Sequence, residues 1–130
     1  MPFYLSQKST QVLETVHPDL QRVIRKAITL SEVDFSVIEG ARTKERQRAL
    51  FAAGASSTLK SRHLTGHAVD LAAWVDGRTD WSWPLYEKIA RTVKIAANSL
   101  DINVEWGGDW QSFKDGPHFQ LSWTDYPAND

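Results

Sequence analysis

The chain contains no cysteine. Disulfide staples and thiolate chemistry are excluded, so any metal must be held by His, Asp or Glu. The compartment stays open, because a cysteine-free chain suits reducing and oxidising surroundings alike. Nor is there an apolar run approaching the roughly 18 residues of a membrane span. The opening MPFYLSQKST has no basic stretch leading into an apolar one, so neither membrane insertion nor an export signal is expected. Excess charge of one sign is missing too: 15 Lys and Arg stand against 16 Asp and Glu, a formal net charge of -1. No bulk attraction to nucleic acid or anionic lipid follows, and a nucleic-acid role would need a local patch. Gly and Pro are scattered, with no repeat or low-complexity tract to mark a linker. Residues 1–130 are therefore expected to form a single domain.

What the chain does have is an ordinary globular composition, 42% hydrophobic and 24% charged, which predicts a packed core. From Pro18 to Leu30 the apolar residues Leu20, Val23, Ile24, Ala27 and Ile28 recur at helical spacing, and Pro18 suits a first turn. FSVIE, ending before Gly40, reads as a strand. Thr43 is placed to cap a helix from Lys44 to about Ala53, with Glu45 near its positive end and Gly54 as a stop. GASSTLKSR reads as loop, Ala68–Ala73 as a strand and VDGRTD as a turn. A third helix begins near Ser82 or Pro84, with Leu85, Ile89, Val93, Ala96, Ala97 and Leu100 as its apolar stripe. Two short strands, INVEW and HFQLSW, flank the glycine-containing segment GGDWQSFKDGP. The order predicts an α+β fold with a small, largely antiparallel sheet flanked by helices.

Three of the four histidines, His63, His67 and His118, lie in turn-rich sequence. His63 stands at the end of a loop and Asp70 seven residues on in a strand, and Gly66 allows the turn that brings both into one cleft. His118 is the candidate third ligand. Asp115, held near it by the Gly116-Pro117 bend, stands where a general base belongs. The alternative reading of this spacing is surface polar residues around a structural glycine turn. Arg42, just past the strand FSVIE, carries a planar fork of donors suited to a developing oxyanion, the alternative being an ion pair with Glu39 or Glu45. His17, directly before Pro18 at a helix start, reads as structural.

The pattern His63-x-x-Gly66-x-Ala68-x-Asp70, with Ser61 two residues ahead, followed by Trp106-Gly107-Gly108-Asp109-Trp110 and Asp115-x-x-His118, resembles the LAS-type zinc peptidases. These comprise D-Ala-D-Ala dipeptidases and carboxypeptidases and the phage L-alanyl-D-glutamate endopeptidases. The likeness covers nearly the whole chain, including the Pro18 helix and Glu39-Gly40-Ala41-Arg42-Thr43. The dipeptidase branch carries Glu-x-x-His where this chain has Asp-x-x-His, which favours the phage branch. The resemblance implies one zinc ion on His63, Asp70 and His118, Asp115 as the base, and Arg42 facing the substrate carbonyl. Ser61 matches the family serine before the first ligand, although a plain loop hydroxyl fits as well. Trp106 or Trp110 is offered as a wall of the substrate cleft, with a fold clamp as the alternative. His67 falls at a variable position of the motif, where a solvent-facing or supporting role is expected.

The function so implied is hydrolysis of the peptidoglycan stem peptide at the L-Ala-D-Glu bond by a monomeric phage endolysin. It is made in the host cytoplasm without a signal and reaches the wall after the membrane is permeabilised. Its size, with no wall-binding module, suits a host with thin peptidoglycan. Two alternatives remain at this point: a carboxypeptidase trimming D-Ala from stem peptides, and a non-catalytic wall-binding domain that keeps zinc for folding.

Overall fold

A computed structural model describes residues 2–54, 61–112 and 114–127. The loop expected over GASSTLKSR falls for the most part on 55–60, outside the described residues. The helix predicted from periodicity forms as α2 (Pro18–Leu30). The His17 ring accepts the Asp19 N–H at 3.0 Å, Pro18 fills the first turn, and the five apolar residues of the stripe are all buried. A shorter helix, α1 (Gln7–Leu13), precedes it and was not anticipated; Ser6 caps it by accepting the Ser9 N–H. Helix α3 (Lys44–Ala52) starts at the Thr43 cap as expected, but only Gln47 on it is buried. Helix α4 (Trp83–Ser99) buries Tyr86, Ile89, Ala90, Val93, Ala96 and Ala97.

The strands are β1 (Phe35–Glu39), β2 (Ala68–Val75), β3 (Arg78–Asp80), β4 (Val104–Trp106) and β5 (His118–Leu121). Every pairing is antiparallel, in the order β1-β2-β5-β4. VDGRTD, expected to be a plain turn, is a two-residue hairpin. Asp76 and Gly77 both take positive φ (53° and 80°), which matches the twist of flanking strands and lets β3 pair with the end of β2. Ala73 pairs with Phe35 on one side and Asp80 on the other, so β3 continues the side of β2 that β5 occupies lower down. The last two strands are shorter than INVEW and HFQLSW imply: the chain leaves the ladder after Leu121 and turns through Ser122–Tyr126.

Pleating divides the sheet into two faces. Val69, Leu71 and Ala73 of β2, Phe35 and Val37 of β1, Phe119 and Leu121 of β5 and Trp106 of β4 join α2 and α4 in one apolar core. The residues between them, Ala68, Asp70 and Ala72 on β2, His118 and Gln120 on β5 and Glu105 on β4, stand on the opposite face. Helix α1 closes the β1 edge: Ser9 accepts the Val37 N–H at 3.0 Å, and Leu13 enters the core. Gly40 lies so close to α1 that a Cβ there would meet Thr15 Oγ1 and the Val12 carbonyl.

Candidate metal centre

On the polar face Asp70 stands in β2 beside His118 of β5, its direct partner in register. His63 arrives from the 3-10 turn Arg62–Thr65, which Ser61 caps by accepting the His63 N–H. Gly66, in the left-handed region, closes that turn so that the chain can enter β2. His63 Nε2 and His118 Nδ1 each lie 3.3 Å from Asp70 Oδ1. One ligand atom from each of the three residues falls within 4.8 Å of the others, and no other such cluster occurs among the described residues.

The outer nitrogens of both rings are engaged. His63 Nδ1 donates to the Gly40 carbonyl at 2.8 Å, and His118 Nε2 donates to Gln120 Oε1 at 2.7 Å. A neutral imidazole with its proton there turns a lone pair toward Asp70, so three acceptors converge on one point. That donor set fits a divalent cation. In the metal-free protein a proton serves the same geometry. Burial alone raises the Asp70 pKa, but hydrogen bonds and charge from His118 and His63 outweigh it and hold the carboxyl well below the usual range. Burial likewise works to lower His118, and the hydrogen bond and charge of Asp70 leave it raised.

These residues open into a cleft of about 300 Å³ that also receives Arg42, Asp115, Ser61 and Trp110. Arg42 is held from three sides: its N–H donates to the His63 carbonyl, Nε donates to Glu39 at 2.8 Å and Nη1 to Gln47 at 2.6 Å. The ion pair with Glu39 is therefore present, and it aims the remaining Nη2 toward Asp70, 3.8 Å away. Asp115 is fixed through its backbone, which donates to the Gly107 carbonyl and accepts from the His118 N–H. A Cβ on Gly107 would strike the Asp115 carbonyl, so only glycine permits this approach. Burial and the neighbouring Asp70 charge raise the Asp115 pKa, against partial relief from His118, His63 and Arg42.

The two tryptophans offered as cleft walls separate. Trp110 lines the cleft, its ring 5.1 Å from that of His118. Trp106 does not: it is the register partner of Phe119 on the apolar face, stacks on it, and donates Nε1–H to the Gly116 carbonyl at 2.7 Å. Strand parity sets Trp106 on the apolar face beside Phe119, whereas Trp110 lies beyond the strand, after the 3-10 turn Gly107–Asp109 that carries the chain to the cleft. His67 is away from the trio, bonded to Thr65 and grouped with the rings of His17 and Tyr126. Two contributors escaped the sequence reading. Trp81, 57% exposed at the cleft rim, stacks nearly parallel on buried Tyr86. Gln120 was legible only as the residue two along from His118 in a strand, hence on its face.

A sequence model described as phage L-alanyl-D-glutamate peptidase matches residues 1–122. The chain is 34% identical over 119 residues to the L-alanyl-D-glutamate peptidase of Escherichia phage T5, covering 88% of this chain and 87% of that one. It is 32% identical over 129 residues to the corresponding peptidase of Listeria phage A118, covering 97% of this chain and 45% of that longer protein. Among solved structures, the Serratia marcescens L-Ala D-Glu endopeptidase ChiX superposes with a TM-score of 0.89 at 55% identity, covering 94% of this chain and 92% of that one. The vancomycin-resistance D,D-dipeptidase VanXYg shares the fold at a TM-score of 0.54 and 18% identity, covering 82% of this chain and 50% of that one.

Proposed function

The chain belongs to the phage L-alanyl-D-glutamate peptidase family, and from that premise we propose that it is a zinc enzyme cutting the L-Ala-D-Glu bond of the peptidoglycan stem peptide. Membership makes it a peptidoglycan-cleaving endopeptidase. The ion, the bond and the part each residue plays are our reading. The observation that carries it is the convergence of His63, Asp70 and His118 in a cleft that also holds the half-buried carboxylate of Asp115 and one guanidinium.

His63, Asp70 and His118 hold the ion. When bound, zinc supplies a Lewis acid with an open position, polarising a carbonyl and making water acidic at neutral pH. Asp115 takes the proton of the attacking water and returns it to the departing amine of D-Glu. Its raised pKa brings the carboxyl closer to the proton affinity of the groups it serves. Arg42, clamped by Glu39 and Gln47, presents Nη2 to the oxyanion that grows on the L-Ala carbonyl. Because the clamp is made before substrate arrives, little reorganisation is needed at the moment of reaction. Trp110 and the Ser61 segment border the peptide.

A carboxypeptidase would need a cationic pocket for a terminal carboxylate. Among the described residues Arg42 is the one Lys or Arg lining the cleft, and two of its three nitrogens are already engaged, so the geometry favours internal cleavage. Residues 1–130 act as one domain and as a monomer in this reading. No helix among the described residues is long and apolar enough to cross a membrane. The enzyme is made in the host cytoplasm and meets its substrate once the membrane is breached, as an endolysin. The test is mass spectrometry of peptides released from purified peptidoglycan with and without a chelator. Chelator-sensitive products with a new D-Glu N-terminus are expected. Release of terminal D-Ala instead, or cleavage indifferent to chelation by zinc-free protein, would overturn the proposal.

A further inference from the structure

The two imidazoles of the trio are oriented by different kinds of acceptor. His63 Nδ1 meets the Gly40 carbonyl. A backbone carbonyl only accepts, so that ring has one neutral form available, with Nε2 unprotonated toward Asp70. His118 Nε2 meets a side-chain amide, Gln120, at 2.7 Å. An amide offers an oxygen that accepts and an NH2 that donates, and which of them is presented decides the tautomer of the neutral ring. With the oxygen presented, Nε2 keeps the proton and the Nδ1 lone pair faces Asp70. With the NH2 presented, Nδ1 must carry the proton. It then donates to Asp70, 3.3 Å away, and the ring is lost as a ligand.

Strand geometry selects between the two. His118 and Gln120 are two residues apart on β5, so both lie on its polar face, and both are buried. Gln120 stands directly opposite Glu105 of β4. Direct partners in an antiparallel pair share a face, their Cβ atoms about 5 Å apart. A carboxylate there favours the amide NH2 on its own side and leaves Oε1 for His118. We propose that Gln120 is a positioning residue that selects the metal-binding tautomer of His118. The inference rests on the ligand set given under Proposed function and adds to it a residue that touches neither ion nor substrate.

Zinc affinity, measured by competition with a chromophoric chelator, gives a readout independent of turnover. Gln120→Leu, similar in size but without an acceptor, should bind zinc roughly 10- to 100-fold more weakly, and Gln120→Glu, which can only accept, should restore affinity to within about threefold. Unchanged affinity in Gln120→Leu, or an equal loss in Gln120→Glu, overturns the proposal. Should Gln120→Leu fail to fold, judged by the melting of the metal-free protein, two readouts remain: Gln120→Glu and the wild-type ring itself. Proton–nitrogen correlation spectra of the zinc-loaded wild type should show the His118 Nε2 proton, protected from exchange by its bond to Gln120. A rapidly exchanging Nε2 proton contradicts the selection. His118→Ala separates the two levels of inference. If it keeps full zinc affinity, the ligand set falls and the role of Gln120 with it; if it loses zinc while Gln120→Leu does not, the role of Gln120 alone falls.

Discussion

On the helix-covered face of the sheet, Val69, Leu71, Ala73, Phe119 and Leu121 are buried against α2 and α4 with no polar side chain among them. One residue out of step on the same strands, buried His118 and Gln120 and half-buried Asp70 are polar, and each depends on a named partner at a set distance. The first face is held by dispersion and the exclusion of water, which are additive and nearly directionless. The second is held by hydrogen bonds that leave three acceptors facing one point. Packing contents the one face and cannot content the other. A period-two alternation thus lets one small sheet be a stable platform on one side and a reactive surface on the other.

The sharpest way to break this comparison is a pair of substitutions, one per face. Asp115→Asn should lower peptide release from peptidoglycan by about 10²- to 10⁴-fold, with zinc content and melting temperature unchanged. Loss of zinc, or turnover within tenfold of wild type, would show that Asp115 supports the site rather than moving a proton. On the other face, Ile89→Ala removes a fully buried side chain of α4 and should cost about 2–5 kcal/mol in urea unfolding. Activity per folded molecule should stay near wild type. A protein that loses both together in either variant does not have separable faces.

A smaller effect sharpens the division between core and cleft through Trp106 and Trp110. Trp106→Phe leaves the Gly116 carbonyl without its donor and should cost about 1–3 kcal/mol of stability with little change in KM. Trp110→Phe should leave stability within about 0.5 kcal/mol and raise KM. The reverse pattern would place Trp106 against the substrate.

The same pair shows what could be read from sequence and why the rest could not. Helices α2 and α4 and the Thr43 cap were legible because their signals, an apolar stripe and a capping residue, are local. The site was legible in outline because His63, Gly66, Asp70, Asp115 and His118 lie in two short segments at characteristic spacing. Helix α1 was not: it is one short segment with no stripe, and it is stabilised by Val37 of β1, 28 residues away. Trp106 was left open between cleft wall and fold clamp, because which face it takes depends on pairing with Phe119 of another strand, a register that the sequence around Trp106 does not print.

The finest distinction between the faces is their response to pH. In the metal-free protein Asp70 is held below its ordinary value of 3.8 and His118 above 6.5. The depressed carboxyl contributes stability that is present above 3.8 and lost as pH falls through its folded value. The raised imidazole contributes stability that is present below 6.5 and lost as pH rises through its folded value. Their joint contribution is therefore intact in mild acid and declines in both directions. On the proposed ligand set zinc would invert the upper limb, since it would bind the deprotonated ring and release protons on binding. The gain in melting temperature on adding zinc should thus grow from mildly acidic to mildly alkaline pH, as scanning calorimetry at several buffers would show. The deficit of Ile89→Ala should stay constant over the same range, because the side chains Ile89 packs among are apolar or, like Tyr86, titrate above it. A zinc gain independent of pH would mean that no proton is displaced from His118, and that the acceptors of the polar face do not meet at the ion.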